Sequence, residues 1–217
     1  AAIVDLAELK NSNMDVLLTP DTTKKDTTPS APWQVLVKKI KISKVGFSYK
    51  GLPKDSMYVS AFLGDADASD IRLSTKEPWY SVGSLNIADG KAQYDSGMPA
   101  RNTHEFNPSH LLLRDIQLGV ESFYMYNKVM KVDIKKCSFY DQSGFTIAGL
   151  QANLRTDNKM IYIPSFFVQT PYSEIRMNGV CPWNIMDPKG KSGNLEANVD
   201  AYIGKGDVLF WGHSIPS

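Results

Sequence analysis

Apolar and polar side chains alternate along most of this chain with a period of two. Leu195, Ala197, Val199, Ala201 and Ile203 are separated by Glu196, Asn198, Asp200 and Tyr202, and Met57, Val59, Ala61 and Leu63 alternate in the same way. Leu150, Ala152 and Leu154 repeat the pattern, as do Ile161 with Ile163 and Ile175 with Met177. Successive side chains of a strand point to opposite faces, so this period predicts half-buried β-strands. Turn residues punctuate the runs at Gly51-Leu52-Pro53, Asp89-Gly90, Thr156-Asp157-Asn158, Thr170-Pro171 and Asp187-Pro188. The expected fold class is all-β. One stretch suits a short helix instead, at the start, where Ile3, Leu6 and Leu9 stand three apart.

A looser regularity lies beneath the strands. Ile40-x-Ile42 is followed after four residues by Phe47-x-Tyr49, Leu85-x-Ile87 by Ala92-x-Tyr94, and Ile116-x-Leu118 by Phe123-x-Met125. Cys137-x-Phe139 leads to Phe145-x-Ile147 across five residues. These pairs read as a repeated unit of two short strands and a tight connection. The irregular intervals argue against a propeller or a strict β-helix. They suit a long sheet of meandering hairpins that adds strands along one axis. Residues 19–32, with five threonines and three prolines, and 99–110, with two prolines, two asparagines and two histidines, are expected to be mobile loops. Neither reads as a domain linker, so residues 1–217 are expected to be one β-rich unit. The chain opens without an initiator Met or a signal-like apolar region, which suggests an internal piece of a longer protein or a mature chain.

Composition removes several function classes. Lys plus Arg is 24 and Asp plus Glu is 23, leaving a net charge of +1, which argues against a nucleic-acid partner. Hydrophobic residues make up 42% and aromatics 11%, too many for a disordered chain. The longest apolar runs, such as Leu111 to Leu113 and Phe166 to Val168, fall far short of the roughly 18 residues of a membrane span. Two cysteines are too few for a disulfide scaffold or a four-thiolate zinc site. Cys137 occupies an apolar-phase position, which favours two buried free thiols over a Cys137–Cys181 pair.

Catalytic chemistry has little to stand on, and no enzyme, metal or cofactor is expected. There is no G-x-S-x-G elbow and no H-E-x-x-H pair. His104, His110 and His213 read as surface residues, and His104, Glu105 and His110 match no standard ligand spacing. Gly190-Lys191-Ser192 resembles the end of a phosphate-binding loop, but Ile185 stands where its first glycine belongs. Asp65-x-Asp67-x-Ser69-Asp70 fails the calcium-loop frame, with Asp70 at the sixth position and Lys76 at the twelfth, and reads as a solvated acidic turn. Lys38, Lys39, Lys41, Lys44 and Lys50 suit a charged outer face or a protected edge strand.

Residues 134–203 carry a family resemblance. They run Ile134 to Phe139, then Ser143-Gly144-Phe145 to Leu150, then a strand with Ala152 and Leu154, then Met160 to Ile163. Phe166 to Val168, Thr170-Pro171-Tyr172-Ser173, Ile175-x-Met177 and Gly179 follow, and Ala201 to Val208 closes the segment. This order resembles the repeating module of the AsmA-like proteins, in particular the TamB-like translocation and assembly proteins. The resemblance implies an envelope protein of a Gram-negative bacterium, anchored in the inner membrane and extending across the periplasm. It implies an elongated, curled antiparallel sheet with an apolar inner groove, a "β-taco". Such a groove would carry lipid acyl chains or assist assembly of outer-membrane proteins, with no chemistry of its own. Its lining would comprise Ile40, Ile42, Phe47, Leu85, Ile87, Ile116, Leu118, Phe123 and Phe139 in the first part of the chain. Ile147, Leu154, Ile161, Ile163, Val168, Ile175, Met177, Val199 and Ile203 would complete it.

The physics of such a conduit is undemanding. A lipid tail in water loses about 0.8 kcal/mol per exposed methylene, so an apolar trough is enough to hold it. A closed β-sandwich has the same alternation, with two apolar faces meeting in a dry core. A sandwich-type binding module recognising glycan or protein at a cell surface is therefore the alternative.

Overall fold

A computed structural model describes residues 2–18, 32–51, 57–75, 79–97, 106–127, 129–183 and 194–214. The described residues form one 13-stranded, mostly antiparallel sheet that does not close into a barrel. Its strands are β1 (Ala2–Val4), β2 (Ala7–Leu17), β3 (Gln34–Lys50), β4 (Tyr58–Ser74), β5 (Trp79–Val82), β6 (Ser84–Asp95) and β7 (His110–Tyr126). Then come β8 (Val129–Asp141), β9 (Thr146–Ile147), β10 (Gly149–Thr156), β11 (Met160–Gln169), β12 (Glu174–Pro182), β13 (Glu196–Tyr202) and one helix, α1 (Lys205–Ser214). Pairing runs from β1 and β2, both parallel to β3, through to β13 at the far edge.

The opening segment is strand, not helix: Ile3 pairs with Leu36 and Leu9 with Ile42. A three-residue spacing over so short a stretch is overruled once β3 offers its backbone donors and acceptors. The single helix instead follows Gly204. Residues 19–31 and 99–105 of the expected loops lie outside the described residues, as does Gly190-Lys191-Ser192. The described remainder of the second loop is tied down: the His110 N–H donates to the Asn107 carbonyl at 2.9 Å, and Phe106 packs edge-on to Phe145 at 5.1 Å.

Three of the four two-strand units are single long strands, within β3, β6 and β7, while the fourth spans β8 and β9, which pair antiparallel across a turn. Ile42 and Phe47 share a face although five positions apart, an odd offset that uninterrupted alternation forbids. An extra residue absorbs the slip at Lys44, whose φ is 55°. Such a residue is a β-bulge, which bends its strand and faces two polar neighbours outward. Lys44 faces Asn11 (φ 49°) on β2 and Gly64 on β4. The same line continues through irregular pairing at Asp89 on β6 and Asp115 (φ 53°) on β7. A second line passes through Asp5, Lys38, Asp70 (φ 51°), Gly83, Glu121 and Lys135. On each run the two lines stand six residues apart: Asp5 and Asn11, Lys38 and Lys44, Gly64 and Asp70, Gly83 and Asp89, Asp115 and Glu121. Aligned bulges thus mark two lines across β2 to β7 and divide that part of the sheet into three panels, while β10, β12 and β13 carry neither line.

Charge follows the creases. Lys38 meets Asp5 at 2.7 Å and Lys135 meets Glu121 at 3.1 Å. Between the creases Lys41 stands opposite Asp67, and Ser43 opposite Asp65, on the outer face. The acidic run 65–70 is thus part of β4, not a turn, because a neighbouring lysine row on β3 compensates it across the strands. The lysines of β3 serve a charged outer face; the edge position belongs to β2.

Positive φ at Asp115 is the testable consequence. A β-branched residue there should cost about 1–2 kcal/mol. Asp115→Val should therefore lower the urea midpoint, whereas Asp115→Gly, which accepts this conformation, should leave it near wild type.

Candidate functional site

Register assembles one apolar face. Directly paired residues share a face, and a single row can be followed across ten strands. It runs Ala7, Ile40, Ala68, Leu85, Val120, Ile134, Ala152, Phe166, Met177 and Val199. At about 4.8 Å per strand this row is roughly 43 Å long. Leu9, Ile42, Ala66, Ile87, Leu118 and Cys137 form a second row beside it. Phe123 and Leu154 meet across Val132, Phe139 pairs with Ile147, and Val168 with Ile175. By the same pairing Phe47, Ile116, Ile161 and Ile163 lie on this face. Ile203 falls one residue past the end of β13 and is exposed.

The face is not sealed. Only five apolar residues are buried among those described: Val45, Ala66, Val120, Ile147 and Cys181. The rest of the face is half-buried, and at the β13 edge Val199 is 60% exposed. No second sheet lies over it among the described residues. Four of the five buried residues were absent from the expected lining; they sit beside creases or opposite bulkier neighbours, which alternation alone does not reveal.

Helix α1 stands where β12 and β13 stop. The Gly204 N–H donates to Ser173 Oγ at 3.0 Å, and the Thr170 hydroxyl donates to the Asp207 carboxylate. Tyr172 lies so close that a Cβ on Gly204 would fall 2.0 Å from its carbonyl oxygen. That contact requires glycine. Phe210 stacks on Phe145 at 6.0 Å, and Phe145 meets Phe139 of the apolar face at 6.4 Å. A small cavity opens between Phe145, Tyr172 and the helix. Thr170, Pro171 and Ser173 thus terminate two strands and seat the helix together.

The polar groups make turns, and they do not converge on a reaction centre. Asp141 is buried; its carboxylate accepts from the Leu112 N–H at 3.1 Å and the Ser143 N–H at 2.9 Å. His110 is not a surface residue: its Nδ1 lies 3.1 Å from Asp95, and its Nε2 is buried. Backbone donation from Gly97, with His110 adding to it, lowers the Asp95 pKa. Burial raises that of the Cys137 thiol, which makes a poor nucleophile. Cys137 and Cys181 are both free. No group of three or more metal-ligating side chains occurs among the described residues, and no helix there is long and apolar enough to cross a membrane.

Comparisons with protein-family models, with curated proteins and with solved structures return no match to this chain.

Asp157 supplies a pH test. Its carboxylate accepts from the Lys159 and Met160 N–H groups at 2.7 and 2.8 Å, and these bonds lower its pKa. A carboxylate depressed on folding adds stability above its ordinary pKa of about 3.9, and loses it as pH falls through the folded value. Melting temperature should therefore decline below about pH 4. Asp157→Ala should melt lower than wild type at neutral pH, with the gap narrowing in acid.

Proposed function

We propose that the apolar face lines an open trough that carries lipid acyl chains through water, in a non-enzymatic protein of the AsmA/TamB-like kind. The observation that carries this reading is the apolar row across ten strands, half-exposed and with no sheet above it among the described residues. Such a surface is costly for a soluble protein unless something apolar occupies it. The creases support the reading. The middle panel holds five residues, such as 39–43 and 65–69, or about 17 Å of strand. Side panels turned toward each other about its margins would stand farther apart than the roughly 10 Å of two sheets in side-chain contact, leaving space for chains that slide rather than a core that sets. A lipid path of this kind belongs between two membranes, which suits the periplasm of a Gram-negative envelope. Assistance to outer-membrane protein assembly would use the same face.

Ile163 tests the proposal, since it lies on this face opposite Gly179, beside the Pro164–Ser165 bulge. In a dry core, Ile163→Asp would bury an unpaired carboxylate at a cost of several kcal/mol, against a total stability of about 5–15. In an open trough the carboxylate keeps its water while obstructing an acyl chain. The variant should fold with a small loss in melting temperature and yield fewer lipids per protein on organic extraction and mass spectrometry. A collapsed melt, with unchanged lipid on the folded remainder, would sink the proposal.

A further inference from the structure

The outer face of β10 to β13 carries a second feature, made of polar groups. Here β11 has two residues, Pro164 and Ser165, where its neighbours have one, and the bulge opens two adjoining clefts of about 450 and 700 Å³. Both are lined by Pro164, Asn178 and Asn198. Register orders the surroundings into three rows that cross the strands. The central row is Asn153, the bulge, Asn178 and Asn198, with Asn198 Nδ2 donating to Asn178 Oδ1 at 3.1 Å. On one side stand Gln151, Phe167, Arg176 and Asp200; on the other Arg155, Tyr162, Val180 and Glu196. Short carboxamides therefore floor a channel between two rows of mostly longer side chains.

The chemistry of the channel selects a ligand class. Each carboxamide presents two N–H donors and a carbonyl acceptor, which matches the paired donor and acceptor character of sugar hydroxyls and N-acetyl groups. Asn178 and Asn198, which line both clefts, leave donors unspent after bonding each other. Tyr162, 39% exposed, offers a ring face, with its hydroxyl fixed to Asp157 at 3.0 Å. Phe167 is covered by the Arg176 guanidinium, 4.9 Å from its centroid. Arg155 and Arg176 stand among Glu174, Glu196 and Asp200, so there is no cationic surplus to draw phosphate or polyanions. Backbone donors in β11 and β12 are already committed to both neighbours, which denies an extended peptide strand pairing on this face.

We infer that this outer cleft binds a neutral oligosaccharide laid across β11 to β13, on the face opposite the apolar rows. The inference is independent of the lipid proposal, because the carboxamides Asn178 and Asn198 alternate with the apolar-face residues Met177 and Val199 and so point to the opposite face. Calorimetric titration of the chain with chitotetraose and with cellotetraose tests it. Saturable binding of at least one is expected, weakened about tenfold or more by the double variant Asn178→Ala/Asn198→Ala. Tyr162→Ala, at an exposed position, should weaken it as well without lowering the melting temperature by more than a few degrees. Leu118→Asp, on the other face and outside both clefts, should bind sugar as wild type does even where its lipid load has fallen. Absence of saturable binding to either sugar, undiminished binding by a folded double variant, or equal binding of an uncharged tetraserine peptide would overturn the assignment.

Discussion

A strand cannot change which face a side chain occupies without inserting or deleting a residue, and its neighbours must accommodate the change. That constraint organises this molecule. A bulge confined to one strand leaves an extra residue unpaired and breaks the ladder locally, as Pro164 and Ser165 do on β11. Here β3 and β4 slip together at Lys44 and Gly64, so their pairing continues in constant register from Gln34–Ser74 to Lys50–Tyr58. Neighbours that do not slip in concert show irregular pairing at the same latitude, as β6 and β7 do around Gly90. Asn, Asp, Lys and Gly occupy the slip positions because they tolerate positive φ or a solvent-facing bend.

The apolar rows follow from that alignment. Ten strands contribute one residue each to the row from Ala7 to Val199, and from β2 to β7 the row lies between the two lines of bulges and runs parallel to them. The resulting face is continuous and charge-free over most of its length, while the outer face gathers the lysine and aspartate ladder of β3 and β4. One surface suits apolar chains and the other suits water. The carboxamide channel of β11 to β13 is a by-product of the same device, since the Pro164–Ser165 bulge opens it.

Helix α1 shows how a short motif can hold more than it advertises. Thr170, Pro171, Tyr172 and Ser173 read as a turn between strands. In the fold their hydroxyls and ring also receive the helix, through Gly204, Gly206 and Asp207. Phe210 then extends the aromatic contact that Phe106, Phe139 and Phe145 begin. The cluster joins Phe106, residues 139–145, residues 170–173 and residues 204–210, segments at least 25 positions apart, so it leaves no local trace.

Period-two alternation determined the fold class and the facing of residues such as Leu85, Ile87, Ile175 and Met177, because strand geometry ties side-chain direction to parity. The odd offsets from Ile42 to Phe47, Ile87 to Ala92 and Leu118 to Phe123 recorded the bulges as well, although parity alone does not distinguish a bulge from a turn between two strands. That distinction needed the neighbours, since only pairing on both sides shows that the chain runs straight on. Pairing also decided that Ile3 to Leu9 is strand, that His110 sits against Asp95, and that Asn153, Asn178 and Asn198 fall into line. Each depends on residues tens of positions apart, brought together by backbone hydrogen bonds that no local pattern encodes.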